Sequence, residues 1–344
     1  MIQIYNIDNS NKWDEIVISF ADYDVYYLSG YARSFYVHGD GEPQLLYYTS
    51  KDLRAIYVYM RRKTAIDGVY DSITPYGYGG VLFDGEVNEV NLLAFRDEFL
   101  QKMQEENIIS DFVRYHPVLG NAMCMRFISQ VIDLGNTIAM DLTSPEIIWE
   151  NITSKNRNTI RKAQKNNIQI HYTDDYSIFQ SFISIYNQTM DRDNADEYYY
   201  FKEDFYKVIY DYLKGNFKVF YATLEDKIVA ASLILYANKQ VHYHLSGSLT
   251  EYRHLSPTNL LLYQVALWGC ENGFKTLHLG GGLGSGNDNL YKFKAAFNRN
   301  SGLQFSIGKQ IFNQEGYNKL VDLRLKENPN FDIENKFFPL YRAK

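Results

Sequence analysis

The sequence predicts an α+β protein of two similar halves, each a mixed sheet covered by helices in an α/β/α arrangement. Length is the first observation: 344 residues are too many for one typical core and suit two domains. Composition is the second. With 46% apolar and 16% aromatic residues the chain has the means to bury a core and is not a disordered one. The third is order: hairpin strands, then a helix, then a strand, occur twice along the chain.

In the first half, LRAIYVYMRR alternates as a strand does. DSITPYGYGGVLF is a strand interrupted by a Pro/Gly/Tyr loop. NEVNLLAFRDEFLQKMQEEN has helical periodicity, and ISDFVRYHPVL is a strand again. In the second half, FKVFYATLEDKIVAASLILYANKQVHYHLSGS divides into three strands at turns around Glu225–Asp226 and Asn238. PTNLLLYQVALWGCENG follows as a helix and KTLHLGGG as a strand. Between the halves, SPEIIWENITSKNRNTIRKAQKNN supplies one or two helices that open the second domain. The boundaries expected are 1–145 for the first domain and 146–304 for the second. The halves share organisation and no recognisable identity, and no long linker or low-complexity segment separates them.

Charge and motif content exclude several classes. A net charge of −6 and a pI near 5.7 argue against a general nucleic-acid coat, though not against a local basic patch. The opening MIQIYNIDNSNKW lacks the basic n-region and apolar run of a signal peptide. No apolar stretch approaches the roughly 18 residues of a membrane helix, so a cytoplasmic protein is expected. Cys124 and Cys270 have no motif spacing and suit small buried hydrophobes. The seven histidines form no HExxH or Cys/His cluster, and no metal site is expected. The 31 tyrosines offer large area with a polar tip, suited to clefts and interfaces as well as to an ordinary core.

Three stretches invite a chemical reading. In SKNRNTIRKAQK, Lys155, Arg157, Arg161, Lys162 and Lys165 gather without an acid. On a helix, Arg157, Arg161 and Lys165 share an edge, opposite Ile160 and Ala163. Such a cluster suits a phosphate, a nucleotide or an RNA backbone, or else is a solvated face. In the helix that follows Ser256, that serine is placed to cap the first amides, with Pro257 at the first helical position. Its N-terminus, with Thr258 and Asn259, is a candidate anion site or simply the start of a core helix.

The third is HLGGGLGSGNDNLYKFKAAFNR. Gly280, Gly281 and Gly282 end a strand and would let a substrate approach the backbone. On a helical wheel started at Leu290, Phe293 and Phe297 fall within roughly 60° and Lys294 at about 40°. Lys292 points the other way and is expected in solvent. Lys294 must snorkel, pair with an acid or face a cleft.

Taken together, these segments resemble the Fem-type family of peptidoglycan interpeptide-bridge transferases, which carry two tandem acetyltransferase-like (GNAT) folds. SKNRNTIRKAQKNNIQI is similar to the family's basic helix and following strand. YNQTMDRDNADEYYYF is similar to its Met/Arg/aromatic segment. HYHLSGSLTEYRHLSPTNLLLYQVALWGCENGFKTLHLGGG matches its strand–loop–helix–strand unit, and NLYKFKAAFN its Phe-Lys motif. SITPYGYGG and VRYHPVL resemble the first domain of short relatives. No charged heptad stretch interrupts the second domain, so the chain is similar to compact members without the coiled-coil arm. Where acetyl-CoA enzymes carry a glycine-rich pyrophosphate loop, this chain has YRHLSPTN, which lacks glycine.

The resemblance implies two GNAT-like domains, with the strands from about 305 to 344 returning to the first. It implies attack of an amine on an ester or thioester carbonyl, with Lys294 stabilising the oxyanion or leaving oxygen and Phe293 walling the site. Arg192 becomes a candidate to hold an acceptor phosphate or carboxylate, and Tyr76 and Tyr78 to line the acceptor cleft between the domains. Asp191, Asp193 or the substrate itself could take the proton, and spacing favours none of them. Arg157, Arg161, Lys165, Thr258 and Asn259 would serve the donor. The expected function is acyl or aminoacyl transfer to a nucleotide- or lipid-linked cell-wall precursor. The co-substrate is aminoacyl-tRNA, with tRNA as a further partner, or acyl-CoA; no cofactor is held tightly. An acyl-CoA-dependent N-acyltransferase acting on an amino sugar and a catalytically silent precursor-binding protein are the alternatives. Neither residues nor resemblance set an oligomeric state.

Overall fold

A computed structural model of the chain describes residues 1–343. In chain order its elements are β1 (Ile2–Asn6), α1 (Ser10–Ile18), α2 (Ser29–His38), β2 (Glu42–Thr49), β3 (Leu53–Lys63), β4 (Tyr70–Ile73), β5 (Leu82–Gly85), α3 (Glu89–Glu105), β6 (Ile108–Arg114) and α4 (Ala122–Met125). Then come β7 (Val131–Asp141), α5 (Pro145–Asn151), α6 (Ser154–Lys165), β8 (Gln169–Thr173), α7 (Ile178–Arg192), α8 (Glu203–Tyr212), β9 (Phe217–Leu224), β10 (Lys227–Ala237), β11 (Gln240–Ser248), α9 (Pro257–Glu271), β12 (Thr276–Gly280), α10 (Asn289–Ala295), β13 (Leu303–Ile311) and α11 (Gln314–Glu327). The chain divides into two compact units, Met1–Leu134 with the segment from Phe305 onward, and Gly135–Gln304.

In the first unit the strands run β1-β2-β3-β4-β6-β13, with β5 also paired to β3. All neighbours are antiparallel except β4 and β6. The C-terminal β13 lies against β6, from Ile307 opposite Arg114 to Ile311 opposite Ser110. Asn88 caps α3 by accepting from the Asn91 amide at 3.0 Å. Spacings of three and four then put Leu92, Phe95, Phe99 and Met103 on one buried face. That face packs with Tyr48, Tyr57, Tyr59 and Tyr115, so much of the tyrosine in this unit is core. Asp71 and Asp111 are among the carboxylates buried in this unit. Asp71 is held by Arg62, Arg342 and the Tyr341 hydroxyl. Asp111 accepts from the hydroxyls of Tyr57 and Ser72.

In the second unit β7 is followed by β12, β11, β10, β9 and β8. Only β11 and β12 are parallel. The turns expected at Glu225 and Asn238 are present, and each turns through a left-handed residue (φ 53 and φ 50). The helix α9 is apolar nearly all round and lies against β9 to β12 with both flanks covered. Gly269 lets it approach: a Cβ there would stand 2.7 Å from Leu142 Cδ1.

Two local expectations are corrected. Ser256 does not cap α9 through its side chain. It adopts a left-handed conformation (φ 59), and its carbonyl instead accepts from the Asn259 amide at 3.1 Å. The wheel for α10 misplaces Leu290, which is 38% exposed, while Tyr291, Phe293 and Ala295 of this seven-residue helix pack against the core. Phe297, just past its end, is fully buried and stands edge-on to Phe293 at 5.4 Å.

Candidate active site

Strands β11 and β12 pair over only three positions, Gln240 with Thr276, Val241 with Leu277 and His242 with His278. Beyond them β11 runs on to Ser248 while β12 bends to follow β7. The two strands therefore part, and past His242 β11 has no partner strand on that side among the described residues. A bulge sits at the point of parting. Leu233 faces Leu245 and Ile234 faces Tyr243, so His244 is the extra residue. Burial, and then the neighbouring His242, push the His244 imidazole down to about 3. It stays neutral and is a poor proton acceptor. At the start of the opening, His278 Nε2 and Thr137 Oγ1 share a buried 2.9 Å hydrogen bond.

The glycine-rich segment follows β12 directly. Gly280 has φ 78, which lets the chain turn out of the strand. A Cβ on Gly282 would fall against the Gly286 carbonyl and 2.5 Å from Asp288 Oδ1. The loop thus folds tightly on itself. Asp288 holds both ends of it, accepting from Leu283 N at 2.9 Å and from Tyr291 N at 2.8 Å. The second of these bonds caps α10. One turn into that helix, Lys294 points inward and its ammonium donates to the Gly281 carbonyl at 2.7 Å. Only 9% of Lys294 is exposed, and among the described residues no carboxylate lies within ion-pairing distance of it. Desolvation brings its pKa down to about 8, against the upward pull of Asp288. Phe293 is half-buried beside it. Lys292 is exposed.

The other candidate residues are distributed as follows. Arg157 is turned onto the end of α5, donating to the carbonyls of Trp149 at 3.1 Å and Glu150 at 3.4 Å. Arg161 lies over the Trp149 ring at 5.0 Å. These two arginines fasten one helix to the next, whereas Lys155, Lys162 and Lys165 remain exposed and make no ion pair among the described residues. The start of α9 is tied to the start of α6 by Asn259 Nδ2 donating to Asn156 Oδ1 at 2.8 Å. Asn156 and Thr153 donate in turn to the Ala296 carbonyl beyond α10. Thr258 is half-buried beside Asn259. Arg192 ends α7, with its Nε and Nη2 on Asp193 and its Nη1 on the Ser248 carbonyl at 2.9 Å. Asp191 accepts from the Tyr200 hydroxyl at 2.8 Å.

Tyr76 and Tyr78 belong to the first unit. The Tyr76 carbonyl accepts from the Tyr31 hydroxyl, and Tyr78 stands edge-on to Tyr26 at 5.8 Å and to Phe305 at 5.6 Å. The residues brought together are thus Gly280, Gly281, Gly282, Phe293 and Lys294. Reading the sequence missed Asp288, although an aspartate three residues before Tyr291 at a helix start is a legible cap signal. It also missed the bulge and the His278–Thr137 pair, which depend on strand register.

Residues 154–294 match the family model described as Acetyltransferase (GNAT) domain. No curated protein sequence matches the chain. Among solved structures, the crystal structure of FemX is similar at 14% identity and a TM-score of 0.70, covering 92% of this chain and 99% of that one. The C-terminal domain of a putative lysylphosphatidylglycerol synthetase from Agrobacterium fabrum is similar at 14% identity and a TM-score of 0.59, covering 93% and 97%. L-PGS from Bacillus licheniformis is similar at 13% identity and a TM-score of 0.55, covering 86% and 91%. At these identities the likeness is one of fold. No helix among the described residues is long and apolar enough to cross a membrane.

Proposed function

We propose that this chain, in which residues 154–294 match an acetyltransferase (GNAT) domain and whose fold is similar to that of FemX, is an acyltransferase that moves an acyl or aminoacyl group to an amine of a cell-envelope precursor. The observation that carries this reading is Lys294. A lone buried ammonium, held on the Gly281 carbonyl, stands in the matched domain beside the strand edge left open by β11 and β12.

The chemistry follows from what an acyl transfer needs. A neutral amine attacks the carbonyl carbon of an ester or thioester, a C–N bond forms, and negative charge develops on the carbonyl oxygen. The C–O or C–S bond then breaks, and the proton lost by the amine ends on the leaving group or on solvent. A buried ammonium close to that oxygen stabilises the charge as it appears. With a pKa near 8 Lys294 is mostly protonated at neutral pH, and burial makes its field stronger than it would be in water. Phe293 excludes water from one side.

The envelope acceptor and an aminoacyl donor are suggested by FemX and by the synthetase-like proteins among the structural relatives. Lys155, Lys162 and Lys165 present an acid-free face suited to the phosphates of a tRNA or of CoA. A second reading, acyl-CoA-dependent N-acylation of an amino sugar, is favoured by the acetyltransferase description of the matched domain.

The test offers labelled aminoacyl-tRNA or labelled acetyl-CoA together with a nucleotide-linked muropeptide or an amino sugar. Label on the muropeptide amine from aminoacyl-tRNA supports the first reading. Transfer from acetyl-CoA alone replaces it with the second. Tight precursor binding without transfer from any donor refutes both and leaves a binding protein.

A further inference from the structure

We propose that Asp288 is a positioning residue that sets the direction and the charge of the Lys294 ammonium by holding the loop from Gly281 to Asp288 closed. The inference rests on the reading of Lys294 given above and concerns a residue that neither the sequence motifs nor the family match single out.

The geometry supports two separate actions. The first is mechanical. Among the described residues Lys294 has one hydrogen-bond partner, the Gly281 carbonyl, and its aim depends on where that carbonyl lies. The carbonyl sits two residues before Leu283, whose amide is held by one oxygen of Asp288 while the other oxygen holds the Tyr291 amide. A single carboxylate thus fixes both the loop that carries the acceptor and the helix that carries the donor. Gly286 N donating to the Leu283 carbonyl at 3.0 Å closes the turn between them.

The second action is electrostatic. Asp288 is kept ionised by the Tyr291 and Leu283 amides, which hold its pKa below the usual carboxylate value. Its negative charge opposes the desolvation of Lys294. The other titratable groups on the surrounding elements do not do this. Lys292 is exposed, Tyr291 packs against the hydrophobic core, and His278 on β12 is committed to Thr137. Without Asp288 the same buried lysine would lose its proton more readily.

A neutral helix cap would keep the Tyr291 hydrogen bond without the charge, so the test must separate capping from charge. Asp288→Ser preserves a good cap without the charge, Asp288→Asn is nearly isosteric, and Asp288→Glu restores the charge. Lysine Cε and Nζ chemical shifts, followed by NMR against pH in the intact protein, report the Lys294 midpoint directly. Lys294→Met identifies the resonance. The expected result is a midpoint lowered by about one unit in Asp288→Asn and Asp288→Ser, with most of the shift recovered in Asp288→Glu. In the transfer assay the alkaline limb of the pH–rate profile moves by the same amount, and kcat falls more than KM rises.

A midpoint and an alkaline limb that stay at the wild-type pH, with only the melting temperature lowered, would overturn the proposal and leave Asp288 a structural cap. This outcome is distinct from failure of the Lys294 reading, since the NMR midpoint does not depend on turnover and Lys294→Met tests the latter separately.

Discussion

The two units repeat one order of elements but treat its central parallel strand pair differently. In the first unit the pairing of β4 with β6 is prolonged past the end of β4. Thr74 N donates to the Phe112 carbonyl at 3.1 Å, Gly79 N to the Arg114 carbonyl at 2.7 Å, and Gly79 bridges Tyr115. Gly80 permits this closeness, since a Cβ there would stand 2.7 Å from the Tyr115 ring. In the second unit the corresponding pair, β11 and β12, stops after His242 and His278. The helix that follows differs too. After β6 comes α4, four residues of Ala, Met and Cys, followed by Arg126, which is paired with Asp133. After β12 comes α10 with the unpaired Lys294. The same scaffold is thus sewn shut in one unit and left open beside a buried cation in the other. The proposed acyl transfer, in which a positive charge faces the developing oxyanion, fits the open unit.

The largest expected effect breaks this comparison most directly. Lys294→Met should lower kcat by about 10²–10³, the loss seen when one oxyanion donor is removed, with an unchanged circular-dichroism spectrum. Arg126→Met, its counterpart in position, should stay within about twofold, because an exposed ion pair contributes little. Equal losses in the two variants would mean that chemistry is not confined to the second unit.

Each unit also buries a charge, and the two should respond to pH in opposite directions. Lys294 has its pKa lowered to about 8, so between about pH 8 and 10.5 the unfolded chain binds more protons than the folded one. Stability should therefore rise with pH across that window, and Lys294→Met should stabilise the protein at pH 7 by up to about 3 kcal/mol. Asp111 has its pKa raised to about 6, mainly by burial, so the folded chain binds more protons between about pH 4 and 6. Its contribution should fall as pH rises through that window. Urea melts of the wild type, Lys294→Met and Asp111→Asn at pH 4, 6, 8 and 10 separate the two. An Asp111→Asn variant with the wild-type slope between pH 4 and 6 would show that the titration lies elsewhere.

Much of the fold was legible because it follows from local signals. The alternation in LRAIYVYMRR, the turns at Glu225 and Asn238 and the helical periodicity of NEVNLLAFRDEFLQKMQEEN all act within a few residues. The two-domain GNAT-like organisation was legible through the order of motifs. What escaped depends on distant parts of the chain. The parting of β11 from β12 is a property of register, and the bulge at His244 exists only in relation to β10. The wheel placed Lys294 on the inner side of its helix, yet its partner, the Gly281 carbonyl, lies 13 residues away and carries no side-chain signal. Leu290 and Ser256 were misjudged because a two-turn helix and a left-handed entry do not follow the average helix. Arg157 and Arg161 share an edge as the spacing required, but that edge faces α5.

The smallest effect uses one buried tyrosine from each unit. Tyr57 and Tyr206 are both fully buried in aromatic surroundings. The Tyr57 hydroxyl donates to both oxygens of Asp111, at 2.8 and 2.9 Å. The Tyr206 hydroxyl has no partner among the described residues, and burial raises its pKa far above that of a free phenol. Removing the two hydroxyls should therefore have opposite signs. Tyr57→Phe deprives a buried carboxylate of a donor and should cost about 1–3 kcal/mol. Tyr206→Phe relieves an unsatisfied polar group at nearly constant volume and should be neutral or stabilising by up to about 1 kcal/mol. Chemical denaturation of both variants at pH 7 reads the difference. A destabilised Tyr206→Phe would mean that an ordered water serves the hydroxyl.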